Sequence, residues 1–401
     1  MKKSTAVIFI VITGLSMFLA WRFIRPLNIF VVDDRFAWPI DTSQTPPLLE
    51  NLGAVDCAVC HQEFYEEWRT SKHSQAWTDP YFQADWVYDG SQQICKNCHI
   101  PLDRQQEHKV AGFRDKERWQ PVLESNPEFD PALQHEGVTC AACHLRDGKI
   151  LGPYASDASP HPVAKFANSN EVCVRCHVVG GERWDTFFNI PPCGTVAEIR
   201  AGKNGETIHT GEAVVGDIAE LGCVECHMPL AERPLIEGGE VRVTRRHWWR
   251  GGHDPATVKR ALDIQFEEIS APSANQRRFS LTLTNAGAAH YVPTGLPDRH
   301  FSLSLRLLDA DGEIVKERSR VLKRTILWRP FIIDLRDTRL SPGEPRRYTI
   351  DINAAPNTSA WAVEAVVRYH LLAEKRRSRI GYENKEPIAY EIYRRRITFS
   401  K

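Results

Sequence analysis

Hydrophobic and polar positions follow three rhythms along this chain. Close to its start an apolar run extends from Thr5 to Trp21, preceded by Lys2 and Lys3 and followed by Arg22 and Arg25. The run is just long enough to span a bilayer and exceeds the apolar part of an ordinary signal peptide. Phe18-Leu19-Ala20 matches a small-x-small cleavage site poorly, so residues 1–25 read as a retained signal-anchor, a transmembrane helix, with a cleaved signal peptide as the alternative. The charges on its two flanks nearly balance and do not orient it.

From 26 to 50 the sequence is mixed, with Pro39, Pro46 and Pro47, and predicts a tether of limited order. Beyond it the second rhythm begins: Phe64, Tyr65 and Trp68 recur at helical spacing and predict a short amphipathic helix. Stretches such as Pro127-Glu128-Phe129-Asp130-Pro131 and Gly152-Pro153-Tyr154 interrupt any longer periodicity. Residues 51–252 are therefore expected to form short helices joined by irregular loops, instead of long bundles or a sheet.

The third rhythm is an alternation of period two. Phe279, Leu281 and Leu283 alternate with Ser280, Thr282 and Thr284, and Phe301, Leu303, Leu305 and Leu307 with Ser302, Ser304 and Arg306. Tyr348, Ile350 and Ile352 repeat the pattern, and further candidates run from Trp361 to Tyr369 and from Tyr390 to Phe399. Turn sequences such as Asp309-Ala310-Asp311-Gly312 and Ser341-Pro342-Gly343 separate them, which predicts half-buried antiparallel strands and a β-sandwich over residues 271–401. A linker helix through Val258 and Leu262 is expected over 253–270. The fold class is thus α+β and multidomain, a mainly helical or irregular half followed by an antiparallel sandwich.

The cysteines change the picture. Cys-x-x-Cys-His occurs five times: Cys57/Cys60/His61, Cys95/Cys98/His99, Cys140/Cys143/His144, Cys173/Cys176/His177 and Cys223/Cys226/His227. The pattern suits covalent c-type haem: two thiols add across the vinyl groups, and the adjacent imidazole becomes the proximal iron ligand. A bare Cys-x-x-Cys also serves zinc sites, iron–sulfur clusters and redox dithiols. Here every copy carries the histidine, and an odd number of copies cannot be paired off into sites of four cysteines. Five covalently bound haems follow, using ten of the eleven cysteines. Cys193 is left over and reads as a buried, inert thiol. Uneven spacing of the motifs excludes a solenoid.

Each iron has a second axial position. Methionine is poorly placed to fill it: Met1 is the initiator, Met17 lies in the apolar run and Met228 adjoins a proximal ligand. Histidine is the expected ligand, and ten of the fifteen remain after the proximal five. The favoured ones are His73 on the exit of the first-motif helix, His135 in a compact turn before the third motif, His161 between two prolines, His247 beside Trp248 and Trp249, and His290 in the β-rich half. His108, His209, His253 and His300 are held in reserve, and His370, in a strand pattern, reads as structural.

Fifty-one basic and fifty-one acidic residues give no formal net charge, which argues against a nucleic-acid binder driven by bulk positive charge. The basic clusters Lys375-Arg376-Arg377-Ser378-Arg379 and Arg394-Arg395-Arg396 read as solvated faces.

Several motifs resemble the multihaem cytochromes of the cytochrome c-554/c-prime family. The likeness rests on Cys57-Ala58-Val59-Cys60-His61 followed by Tyr65, Trp68, Ser71 and His73, on His135-Glu136-Gly137-Val138, and on Cys223-Val224-Glu225-Cys226-His227-Met228-Pro229. It covers roughly the haem-motif half. The resemblance implies closely stacked haems with mainly bis-histidine ligation and an electron-transfer role, and some relatives keep one five-coordinate haem. The expected protein is a pentahaem electron carrier held in the bacterial inner membrane by one helix. Covalent haem attachment occurs outside the bacterial cytoplasm, so the bulk of the chain is expected in the periplasm. Its partners would be other redox proteins, either cytochromes or a quinol-oxidising complex. Two alternatives stay open: a haem enzyme acting on a small nitrogen or sulfur compound at one open iron, and a docking subunit of a larger cytochrome complex.

Overall fold

The computed structural model describes residues 3–24, 28–156, 158–180, 183–188, 190–191, 193–204, 218–353 and 360–399. His209 lies outside them. Helix α1 (Lys3–Ile24) presents Val7, Ile8, Phe9, Ile10 and Val11 to its surroundings. Among the described residues, its segment Ser4–Ile24 is the one helix long and apolar enough to cross a membrane, and 6% of it is buried.

The expected tether is instead packed against the following half. Helix α2 (Asp34–Ala37) starts at Asp33, whose carboxylate accepts the Arg35 N–H at 2.9 Å. Val32, Phe36, Ala37 and Ile40 are buried, and Val31 bridges to Gly180 as Ile40 does to Leu102. Four apolar side chains spread among prolines make no visible period, yet each finds a slot, and their burial outweighs the cost of ordering the stretch of chain that carries them.

The motifs sit on short helices: α3 (Ala54–Ala58) and α4 (Gln62–Trp68) flank His61, while α6 (Gln93–His99), α8 (Cys140–His144), α9 (Glu171–His177) and α11 (Cys223–His227) each end on their histidine. Helical spacing places the two cysteines of a motif, three residues apart, on one face. Helices α5 (Pro80–Tyr88), α7 (Pro131–His135) and α10 (Thr195–Asn204) fill the space between. The connections are less irregular than expected, because three small sheets occur: β1 (His108–Phe113) with β2 (Pro121–Ser125), β3 (Leu145–Arg146) with β4 (Lys149–Gly152) and β5 (Val163–Lys165), and β7 (Leu230–Pro234) with β8 (Val241–Arg245). Strands this short give at most two or three alternations, too few to stand out between turn residues.

The C-terminal half has two sheets. One orders β14 (Pro345–Asn353), β10 (Gln276–Asn285) and β9 (Leu262–Ile269); the other orders β16 (Ala389–Thr398), β15 (Ala360–His370), β11 (His300–Asp309), β12 (Ile314–Leu327), β13 (Ile332–Asp337) and β6 (Thr186–Phe187). Phe266, Phe279, Leu281 and Ile350 from the first share one buried cluster with Phe301, Leu305, Val367 and Tyr369 from the second. Each such side chain contributes about 1.5–3 kcal/mol when fully buried. The expected linker helix is confined to α12 (Pro255–Arg260), capped by Asp254, and 262–269 is strand, paired with β10 over its whole length. Leu262, Ile264 and Phe266 alternate there and face the cluster.

The expected boundary near residue 252 is crossed repeatedly. Strand β6 comes from the motif-bearing half and pairs in parallel with β13. Arg339 bonds Glu198 and the Pro293 carbonyl, Arg376 of α13 (Glu374–Arg379) meets Asp85 at 2.6 Å, and the Tyr390 hydroxyl donates to the Gly252 carbonyl at 2.6 Å.

Candidate haem-binding sites

Three histidine pairs stand out. His144 and His247 have ring centroids 6.1 Å apart, His73 and His177 6.4 Å, and His227 and His290 6.3 Å. Two imidazoles that share one metal, each nitrogen about 2 Å from it, have centroids a little over 6 Å apart. Rings in direct contact lie closer, as His300 and His370 show at 4.2 Å with planes 8° apart. The first three pairs therefore enclose a gap of the size an iron takes, and the fourth does not. In each of the three pairs one ring belongs to a Cys-x-x-Cys-His motif.

Hydrogen bonds orient most of these rings. Nδ1 of His144 faces the Leu151 carbonyl at 2.6 Å, that of His227 the Arg250 carbonyl at 3.1 Å, that of His247 the Arg245 carbonyl at 2.9 Å and that of His290 the Tyr291 carbonyl at 2.8 Å. His61 and His99 make the same contact with Leu235 and Ala76, at 2.8 and 2.7 Å. A proton held on Nδ1 by a carbonyl leaves the Nε2 lone pair free for a metal. Burial favours the neutral ring as well: it lowers the pKa of His73 to about 3, helped by His177, His227 and His99, and that of His247 to about 4, helped by His144. His144, His177 and His227 shift in the same direction, again chiefly through burial.

Among the described residues no group of three or more His, Cys, Asp or Glu side chains could hold a bare metal ion. A porphyrin iron asks the protein for two axial ligands only, which is what each of the three imidazole pairs offers. The cysteines fit too: none forms a disulfide, so all ten motif thiols are available for thioether bonds. Thiols of different motifs approach each other, Cys57 to Cys140, Cys98 to Cys176 and Cys173 to Cys223. The fourth motif thus neighbours both the second and the fifth, and the first neighbours the third.

The segment carrying His247 is held by Glu67 of α4. This carboxylate is 6% exposed and accepts from Arg233 at 2.8 and 2.9 Å, from Arg246 at 2.6 Å and from the His247 N–H at 2.8 Å. Burial opposes its ionisation, but these donors outweigh burial and hold its pKa below the ordinary value. Trp249 lies between two of the gaps, its ring 4.9 Å from His73 and 5.1 Å from His247.

Other candidates lie elsewhere. His135 is exposed at the end of α7, His161 is half-buried with Nδ1 3.4 Å from the Ser159 hydroxyl, and neither is in ring contact with another histidine among the described residues. His108 and His253 are exposed. His370 shares a hydrogen bond with the Ser302 hydroxyl at 2.8 Å. Cys193 packs on the cluster that includes Cys95 and Cys98, and burial pushes its thiol up to about 11. Sequence reasoning missed Glu67 and the carbonyl partners: a carbonyl leaves no mark in a sequence, and a glutamate on an amphipathic helix reads as solvated.

Comparison with known proteins adds the fold. A penta-haem cytochrome c552 from Thermochromatium tepidum superposes with a TM-score of 0.61 at 19% identity, covering 86% of this chain and 97% of that one. Neither half of this chain alone could supply that coverage, so the likeness includes both, and the fold resembles that of a multihaem cytochrome. A glycosyl hydrolase family 2 member from Bacteroides cellulosilyticus (TM-score 0.18, 11% identity, 34% of this chain and 14% of that one) and a β-glucuronidase from Bacteroides uniformis (0.14, 15%, 27% and 11%) are too distant to argue from. No protein-family model and no curated protein matches the chain.

Proposed function

We propose that this chain is a pentahaem c-type cytochrome that transfers electrons between redox partners at the periplasmic face of the bacterial inner membrane, held there by α1. The observation that carries the reading is the set of three imidazole pairs spaced for an iron, each built on a Cys-x-x-Cys-His motif. His73 then completes the site of His177, His247 that of His144, and His290 that of His227. Haem bound there supplies one-electron redox chemistry. Carbonyl bonds to Nδ1 of His144, His227, His247 and His290 leave their Nε2 lone pairs free, and burial keeps water away. The likeness of the motifs to the c-554/c-prime family supports the same role, and the cluster shared by two sheets supports a β-sandwich in the second half. The partners are other cytochromes or a quinol-oxidising complex.

Haem content by the pyridine haemochrome method, with EPR of the oxidised protein, tests this. Five haems per chain with low-spin signals for at least the three paired sites are expected. A haem-free chain, or high-spin iron at the paired sites, would overturn it. High-spin iron confined to a site of His61 or His99 would favour small-molecule chemistry there.

A further inference from the structure

The end of α1 does not leave the rest of the protein cleanly. The Phe18 ring lies 6.5 Å from Trp184 and 6.2 Å from Phe331, Phe331 lies 6.4 Å from Phe187, and the Arg22 guanidinium sits over Trp184 at 5.2 Å and over Phe331 at 5.3 Å. Arg22 is buried and pairs with Asp185 at 3.0 Å, and Arg329 donates to the Phe23 carbonyl. These contacts fix the helix against two loops, the one around Trp184 and the turn between β12 and β13. Yet the aromatic face they build is open: Trp184 is 55% exposed and Phe187 56%.

Depth decides what covers it. The candidate span has 21 residues, barely enough to cross the hydrocarbon, so none of it can stand clear in water. Phe18 precedes the helix end by six residues, which places it about 9 Å below that end. Side chains in contact with Phe18 share its depth. That depth lies inside the headgroup–acyl boundary, within the roughly 5–10 Å to which the apolar faces of interfacial elements sink, with basic groups above them to meet lipid phosphates.

We propose that Trp184, Phe187 and Phe331, grouped around the exit of α1, insert across the headgroup–acyl boundary of the phospholipid bilayer and seat the cytochrome body on the membrane. The inference rests on the reading that α1 spans that membrane.

The full chain in phosphatidylethanolamine/phosphatidylglycerol nanodiscs gives the test, with a lipid that carries a photoreactive diazirine beside its glycerol and mass-spectrometric mapping of adducts. Labels on Trp184, Phe187 and Phe331 as well as on α1 are expected. In the Trp184→Ser/Phe331→Ser variant the adducts at Phe187 should drop severalfold while those on α1 persist. Labels on α1 alone would overturn the proposal and leave the anchor standing. Crosslinks from this face to a second copy of the chain, without lipid adducts, would overturn it equally. A chain that does not enter the nanodisc, or an unlabelled α1, would remove the anchor and the proposal together.

Discussion

His227 and His290 face each other across a 6.3 Å gap with ring planes 11° apart, although one closes a haem-attachment motif and the other belongs to the β-rich half. The two halves of the chain therefore meet at a pair of imidazoles as well as through ion pairs and a shared sheet. His290→Ala should convert one haem from low to high spin and leave the others unchanged, read by EPR and by visible absorption of the oxidised protein. Addition of imidazole should restore the low-spin signal. If the spectrum of the variant matches the parent, His290 is no ligand.

Glu67 carries a second prediction. Removing one member of a buried, hydrogen-bonded charge cluster costs about 3–5 kcal/mol, because the remaining charges lose their partner. Glu67→Ala should lower stability by about that much in urea titration followed by far-UV circular dichroism. Its folded pKa is held below the ordinary value, so its contribution is present above that value and is lost as pH falls through the lowered one. The variant and the parent should thus converge in stability at strongly acid pH.

The stacked pair His300 and His370 titrates in the opposite sense from a salt-bridged histidine. Burial lowers the pKa of His370 to about 4, with His300 and Arg368 adding to it. The folded protein binds the proton less well than the unfolded chain does. Stability is then full above about pH 6.5 and declines between there and pH 4, by less than about 1.4 kcal/mol per pH unit because the ring is partly solvated. His370→Gln should flatten that part of the stability profile relative to the parent.

How much of this could be read in advance differs between the halves. The alternation of Phe301, Leu303, Leu305 and Leu307 marked β11 because that strand is buried on one side. Strand β12 carried no such mark: eight of its residues from Ile314 to Val321 are exposed, so charge replaces the alternation. Strand β9 did alternate, through Leu262, Ile264 and Phe266, but followed a true helix closely enough to be read as its continuation. At the candidate site the motifs were plain in the sequence. Which ring faces which was not, because the pairs join segments that only the tertiary fold brings together. Val32, Phe36, Ala37 and Ile40 were hidden for the same reason.

Trp249 allows a kinetic prediction. Its ring contacts His73 and His247, which belong to different gaps. Trp249→Leu should slow electron equilibration between the third and fourth haems after pulse reduction, with haem content and the low-spin spectrum unchanged. Equal rates in variant and parent would assign the tryptophan to packing alone.

The order in which the pairs are completed follows from their positions in the chain. His144 meets His247, and His227 meets His290, so two of the gaps are closed by residues that emerge later during synthesis. All five motifs precede both closing histidines in the sequence, since the fifth ends at His227. On the proposed reading, haem attached as the chain emerges would find its sites still accessible, and folding of the C-terminal half would be the step that seals them.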